Sequence, residues 1–329
     1  MTILCRSLSF LLLMTAVATA AAQAPVLRYG QAMSAHRSIF SLPIVVAERE
    51  GLFKREGLDF RVVIPQPGGG ERMIAALHDD TVDLTHVATP FLVRAALAGS
   101  DAVAIAAEFN NPIYTLVGRP DIARIGDLKG RVVGMADPAG SISFSIRKLM
   151  ALHGVREADI KVQVIEGTPA RLACLRRGEC AAVPLGQPQD LLAHSEGYRV
   201  LGYSTEAMPE FVYTVTAARR SWAAANKDAV VRYVRALAAS FAVIRDPARR
   251  ATVVQTIVET TGVSAAVAER TLELYFHPER KVLPRQAEID SKGFAQVIAF
   301  MAEAGQLKAP LPAPERFVDL QYLQAAGVR

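Results

Sequence analysis

From Val26 to Thr216 the chain alternates short apolar runs with amphipathic segments of helical period, and no other feature restricts its fold as much. Such alternation is the sign of an α/β protein with largely parallel sheets. Val26–Gly30, Asp59–Ile64, Val82–Val87 and Ala102–Ala107 read as strands. Helices over Leu42–Glu50 and Glu71–His78, and one starting at Thr89-Pro90, lie between them. Ser41 suits the N-cap of the first helix and Gly51 its left-handed stop, while Thr89-Pro90 offers a capping oxygen followed by proline at the first helical position. A second unit follows: strands over Arg131–Met135, Ile160–Ile165, Ala181–Leu185, Tyr198–Tyr203 and Phe211–Thr216, with helices over Ile142–His153, Pro169–Arg177 and Gln189–His194. Beyond Ala217 the pattern is helical throughout: Ala223–Ile244, Arg249–Thr260, Ser264–Phe276, Gln286–Ala304 and a short piece near Phe317–Ala325.

One internal repeat is visible. Residues 76–90 align without a gap on residues 174–188, and both stretches run helix end, polar turn, buried strand, small-residue loop, proline and new helix. Identities are few, Leu77 with Leu175 and Pro90 with Pro188, but the shared order of elements points to two related lobes.

The N-terminus reads as an export signal. Arg6 supplies a short positive region, Leu8–Val17 an apolar run, and Ala18-Thr19-Ala20-Ala21-Ala22 cleavage sites after Ala20 or Ala22. The run falls short of the roughly 20 residues that span a bilayer, and an uncleaved anchor is the alternative. Cys5 precedes the apolar run and does not look like a lipoprotein cysteine. No later stretch reaches membrane-spanning length without a charge, so the chain reads as exported, periplasmic and not membrane-embedded. The remainder after residue 22 is long enough for two lobes with separate cores. A net charge of +5 is a mild excess, and Arg219-Arg220 and Arg249-Arg250 lack interleaved aromatics, which argues against nucleic acid. The six histidines are scattered and no metal-ligand spacing occurs, so neither a metal nor another cofactor is expected.

The stretch Ala47-Glu48-Arg49-Glu50-Gly51-Leu52-Phe53-Lys54-Arg55-Glu56-Gly57-Leu58-Asp59-Phe60 carries the specific signal. It resembles the A-x-E-x-G-x-F-x-x-E-G-L-D-V segment of substrate-binding proteins for nitrate, sulfonates, taurine and thiamine pyrimidine precursors. Further matches are the Gly68–Gly70 loop, Ala76-Leu77 with Val82-Asp83-Leu84, and Asp127-Leu128-Lys129-Gly130-Arg131-Val132-Val133-Gly134. The resemblance covers residues 26–216. It implies a type II periplasmic-binding fold, two α/β lobes joined by two crossing strands, with a helical C-terminal tail. Lobe one would comprise residues 26–111 and 211–329, and lobe two residues 112–210, with crossings near Asn110–Tyr114 and Pro209–Tyr213. It also implies a small-molecule ligand, the permease and ATPase subunits of an ABC importer as partners, and a monomer.

In open α/β sheets a ligand sits at the carboxyl ends of the strands, where helix N-termini converge and favour an anionic group by about 0.3–1 kcal/mol each. The loops so placed contain Ser38, with Phe40 beyond it; Gly69, Gly70 and Glu71; Ala88 and Thr89; Gly140, Ser141 and Ile142; and Gly186 with Gln187. Asn110 and Tyr213 mark the crossings. Each has a plainer reading. Ser41, Thr89 and Ser141 are adequate as helix caps, the glycines as turns, Glu71 as a complement to a helix dipole, Asn110 as a turn former, and Phe40, Tyr114, Phe211 and Tyr213 as core. His36 and His86 read as polar surface or core residues. Cys174 and Cys180 flank a chain reversal that permits a disulfide; the alternative is two small buried apolar residues, since they align with Ala76 and Val82. Two rival functions remain open, a thiamine-pyrimidine-related enzyme on the same fold and a ligand-sensing receptor without transport. No nucleophile–base–orienter set assembles from the sequence, which favours binding over catalysis.

Overall fold

The computed structural model describes residues 24–36, 38–65, 69–111, 113–138, 140–208 and 210–328. The expected export signal, Gly68 and Pro209 lie outside them. Ten strands in this part form two five-stranded sheets. The first contains β1 (Val26–Gly30), β2 (Asp59–Val63), β3 (Leu84–Ala88), β4 (Ala102–Phe109) and β10 (Thr214–Arg219), in the order β2-β1-β3-β10-β4. The second contains β5 (Thr115–Gly118), β6 (Val132–Met135), β7 (Lys161–Val164), β8 (Ala182–Leu185) and β9 (Arg199–Tyr203), in the order β7-β6-β8-β5-β9. In each sheet one strand runs antiparallel to both its neighbours, β10 in the first and β5 in the second. Each of these is the first strand after the chain has crossed from the other sheet. The two sheets therefore have one topology, β1, β2, β3 and β4 answering to β6, β7, β8 and β9.

The repeat seen in the sequence is this topology. Helix Gly70–His78 and helix Thr168–Arg176 occupy equivalent positions ahead of β3 and β8, and the ungapped register holds across both. Gly51 and Gly57 sit at φ 64° and 70°, where a β-carbon is disfavoured, and turn the chain from helix Leu42–Arg49 into β2.

The tail packs on the first sheet through Tyr233, while the edge strand β2 stays half-buried. Helix Lys227–Arg245 buries Val230, Tyr233, Val234, Leu237, Phe241 and Ile244 at helical spacing, each contributing about 1.5–3 kcal/mol by leaving water. Tyr233 packs on Tyr29 and Phe53, with ring centroids 6.1 and 5.8 Å apart. The free edge of β4 is closed by tail backbone: the Ala104 N–H donates to the Phe317 carbonyl at 2.8 Å and the Ala107 N–H to the Ala287 carbonyl at 2.8 Å. An uncovered edge would be a template for pairing with other chains.

Four elements differ from the sequence pattern. β5 is a four-residue strand too short to give a periodic signal. The strand expected at Phe211–Thr216 begins at Thr214, because Phe211 packs against Gly293 and Phe300 of helix Ser291–Glu303 instead of pairing. The helix expected from Ala223 breaks at Asn226, whose amide donates to the Trp222 carbonyl at 2.9 Å. The helix expected from Gln286 begins at Ser291, capped by Asp290, since residues 286–290 lie along β4.

Between the sheets the chain passes twice, through residues 110–114 and 204–213. The two links are tied to strand ends and to each other: Tyr213 N–H donates to the Phe109 carbonyl at 2.9 Å, and Ser204 N–H to the Tyr114 carbonyl at 2.8 Å. Aromatic side chains from both links meet at this junction.

Candidate functional site

Phe40, from the loop after β1, has its ring centroid 5.1 Å from Phe109, 6.1 Å from Tyr114 and 5.6 Å from Tyr213. The Tyr114 and Tyr213 hydroxyls lie 3.2 Å apart, and Tyr275 meets Phe109 edge-on at 6.0 Å. Burial raises the pKa of all three tyrosines, that of Tyr213 and Tyr275 strongly, so they stand here as neutral phenols. The junction thus joins residues of the first sheet, the tail and both links.

Around it several buried polar atoms have no hydrogen-bond partner among the described residues. They are Ser141 Oγ and Gln187 Oε1 on the second-sheet side, and Asn110 Oδ1, Thr214 Oγ1, Tyr275 OH and Gln31 Nε2 on the link and first-sheet side. Such a group costs about 1–3 kcal/mol if it stays unmet, so water or a ligand is the natural complement of these atoms. The strand order puts both Ser141 and Gln187 at the carboxyl edge of the second sheet, after β6 and β8.

The sequence candidates divide accordingly. Phe40, Asn110, Ser141, Gly186, Gln187 and Tyr213 stand at the junction or the strand ends beside it. A β-carbon on Gly186 would lie 3.3 Å from the Tyr114 ring. Gln187 is 2% exposed and donates from Nε2 to Asp190 at 2.8 Å, leaving its carbonyl oxygen unmet. Gly140 is the N-cap of helix Ser141–Leu152, with Ile142 half-buried at its second position. Ser38 caps the short turn Ile39–Ser41, accepting from Phe40 N–H at 3.2 Å and donating to the Ala35 carbonyl at 2.8 Å.

Others have local duties. Ala88, not Thr89, is the N-cap of helix Thr89–Leu97. The Thr89 N–H donates to the Tyr213 carbonyl at 3.0 Å and its hydroxyl to the Val212 carbonyl at 2.6 Å, so it fastens the returning link. Gly70 is a glycine because a β-carbon there would sit 2.3 Å from the Phe91 ring. Gly69 is exposed, with only Glu71 near, and the exposed Glu71 carboxylate accepts from Arg94 at 2.9 Å. His36 approaches Gln31 Oε1 at 3.3 Å. His86 is buried within β3, 2.7 Å from Glu108, whose carboxylate also accepts from Tyr29 at 2.8 Å and Thr216 at 2.7 Å. Cys174 and Cys180 are joined by a disulfide with Cα atoms 5.5 Å apart.

Sequence reasoning passed over Arg171 and Asp190, both buried. Asp190 accepts from Thr115 Oγ1 at 2.6 Å, Gln187 Nε2 at 2.8 Å and its neighbour's N–H, Leu191, at 2.7 Å. Burial pushes its carboxyl above the usual aspartate range, and these bonds pull it partway back. A signal existed. Extending the repeat in its own register sets Arg171 against Met73 and Asp190 against Leu92, two buried core positions of the first lobe. Charges at twin positions of apolar core residues are specialised. Among the described residues no group of three or more His, Cys, Asp or Glu is placed to hold a metal, and no single helix is long and apolar enough to cross a membrane.

Two five-stranded α/β sheets with exchanged antiparallel strands, joined by a double link and followed by a helical tail, are the periplasmic-binding-protein fold. The chain belongs to the NMT1/THI5-like family, which it matches over residues 39–250. A Bacillus subtilis (strain 168) protein carrying the provisional name binding protein YtlA is 26% identical over 211 residues, and the match spans 61% of each chain. Solved structures agree in fold at low identity. The alkanesulfonate-binding protein SsuA of Xanthomonas axonopodis pv. citri, bound to MOPS, superposes with TM-score 0.70 at 19% identity, covering 88% of this chain and 97% of its own. The periplasmic nitrate-binding protein NrtA of Synechocystis PCC 6803 gives 0.70 at 13%, covering 92% and 85%. The desulfurization enzyme DSZB gives 0.65 at 14%, covering 92% and 98%. The fold therefore serves both binding proteins and an enzyme.

Proposed function

We propose that this chain is an extracytoplasmic solute-binding protein that captures a small anionic or aromatic organic solute between two lobes and delivers it to an ABC importer. The observation that carries the reading is the set of unmet buried polar atoms beside the aromatic junction, Ser141 Oγ and Gln187 Oε1 from one side and Thr214 Oγ1 and Tyr275 OH from the other. A ligand bonding to both sides gains more in a closed state than in an open one, and only such differential affinity closes a hinge. Lobe one is residues 26–111 with 211–329, lobe two residues 112–210, and the mature protein starts after Ala20 or Ala22. Family membership and the binding-protein relatives support capture. The two cysteines give catalysis no help, because they are bonded to each other.

Thermal denaturation against a metabolite panel tests the reading. A true ligand at 100-fold over its Kd stabilises by about 2.7 kcal/mol, and small-angle scattering should show compaction with the same compound. Stabilisation without compaction would leave binding but remove closure. Intact-mass measurement of the exported protein checks the cleavage site, and a product retaining Met1 would contradict export with cleavage.

A further inference from the structure

Arg171 is a cation without a counter-ion. It is 2% exposed, and its guanidinium donates to the Pro184 carbonyl at 2.7 Å, the Ile165 carbonyl at 3.1 Å and Thr168 Oγ1 at 3.1 Å. All three acceptors are neutral, and no ion pair to Arg171 occurs among the described residues. Nor does Asp190, the nearby buried acid of the same lobe, supply one, since its hydrogen bonds are all to Thr115, Gln187 and Leu191. A guanidinium has five N–H donors and keeps its proton in proteins. Three recorded bonds leave two donors and the whole positive charge uncompensated in a dry setting, which is costly unless a partner arrives.

The place of this charge is informative. Ile165 follows β7 and Pro184 belongs to β8, and these strands flank β6. The guanidinium therefore spans the carboxyl end of β6, beyond which helix Ser141–Leu152 begins with the unmet Ser141 hydroxyl. Thr168, which accepts from Arg171, lies 3.7 Å from where a Gly186 side chain would start, and the Tyr114 ring lies 3.3 Å from the same point. Arg171 also acts electrostatically on the Tyr114 and Tyr213 phenols, lowering their pKa against the larger effect of burial. The architecture does not itself require a cation there. The twin position in the first lobe is Met73, buried in apolar core.

We infer that Arg171 is the counter-charge for a carboxylate or sulfonate headgroup of the ligand, received in the second lobe beside Ser141, Thr168 and the Tyr114–Tyr213 pair. This rests on the solute-binding reading and narrows it to an anion whose charge is read by one buried arginine. Ser141 Oγ is the second donor available to the headgroup, and the absence of a side chain at Gly186 lets the Tyr114 ring and Thr168 pack close together beside Arg171.

The test uses matched acid and amide pairs, benzoate with benzamide and propane-1-sulfonate with propane-1-sulfonamide, titrated at constant ionic strength by calorimetry and thermal shift. Wild type should bind at least one acid about tenfold or more tighter than its amide, the size of effect a charge-assisted bond gives. Arg171→Gln, checked for folding by circular dichroism, should lose that preference, and Arg171→Lys should keep part of it. The wild-type comparison stands alone if Arg171→Gln does not fold. Equal binding of acid and amide, no response to either acid, or a preference surviving in Arg171→Gln would each overturn the assignment. Native mass spectrometry of the protein as purified separates this from the parent reading. A bound neutral molecule would end the role of Arg171 and leave capture standing, whereas no bound molecule and no response to any panel compound would remove both.

Discussion

The two lobes share a topology and differ in what keeps them folded. The first sheet is roofed by helix Lys227–Arg245, its β4 edge is sealed by tail backbone, and its polar interior, Tyr29, His86, Glu108, Thr216 and Tyr233, is closed on itself by hydrogen bonds. The second sheet has an exposed edge strand in β7 and a small separate core around Leu172, Leu175, Val183 and Leu185, stapled by Cys174–Cys180. It also places Arg171 and Asp190 where the first lobe has Met73 and Leu92. The first copy's buried carboxylate, Glu108, is met by Tyr29, His86 and Thr216, whereas the second copy's buried Arg171 has only neutral acceptors. A buried guanidinium with no counter-ion is the kind of feature expected where local stability is given up for binding.

The largest break in this comparison is to exchange the twin positions. Met73→Arg buries a charge in a core with no acceptors arranged for it and should cost about 3–5 kcal/mol. Arg171→Met removes an uncompensated charge but strands three acceptors, so its cost should be smaller, about 1–3 kcal/mol. Urea titration measures both; equal losses would mean that Arg171 is as much a packing residue as Met73. Next is the disulfide. Closing so short a loop is worth about 2–3 kcal/mol, so Cys174→Ser with Cys180→Ser should weaken the second lobe by that amount. Hydrogen exchange should locate the loss in β6 to β8, leaving the first sheet protected. A uniform loss across both sheets would show that the lobes unfold as one unit.

Asp190 gives a pH test of the same contrast. Burial raises its folded pKa above that of the unfolded chain. The protonated carboxyl is thus favoured in the fold, and the associated stability is fully present below the unfolded aspartate pKa and lost as pH rises through the folded value. Second-lobe stability should fall with rising pH in that window, and Asp190→Asn should flatten it. The first lobe has Leu92 at this position and should show no matching change. A window that persists in Asp190→Asn would assign the effect elsewhere.

Much of this was legible in the sequence because period and punctuation act locally. β1 appears over the residues its pattern marks, and the repeat register holds from helix Gly70–His78 through β3 and onto helix Thr168–Arg176 and β8. The failures are long-range. Phe211-Val212-Tyr213 reads as strand, yet Phe211 is claimed by a helix some eighty residues on. Arg171 and Asp190 read as ordinary charges on amphipathic helices, since nothing local says that those faces turn inward. Tyr275 reaches the junction from the last turn of a tail helix that no local pattern ties to it.

The smallest expected effect lies between the lobes. Helix Ser141–Leu152 of the second lobe and helix Ser291–Glu303 of the tail border a groove of about 330 Å³, across which Lys148 pairs with Glu303. The Lys148 ammonium also lies 5.3 Å from the Phe300 ring centroid. Both charged side chains are half exposed, and such a pair contributes about 0–1 kcal/mol and is screened by salt. Its leverage is in geometry. If the lobes close as proposed, a pair spanning them favours the closed arrangement by whatever it contributes, and a fraction of a kilocalorie suffices to change the populations of two states close in energy. Glu303→Gln should leave the folding midpoint nearly unchanged and raise the radius of gyration of ligand-free protein in small-angle scattering, with added salt doing the same to wild type. Ligand should bind the variant up to about fivefold more weakly, because closure is then less favoured at the outset. A lowered folding midpoint with an unchanged radius would place this pair inside one rigid body and remove the hinge from beneath it.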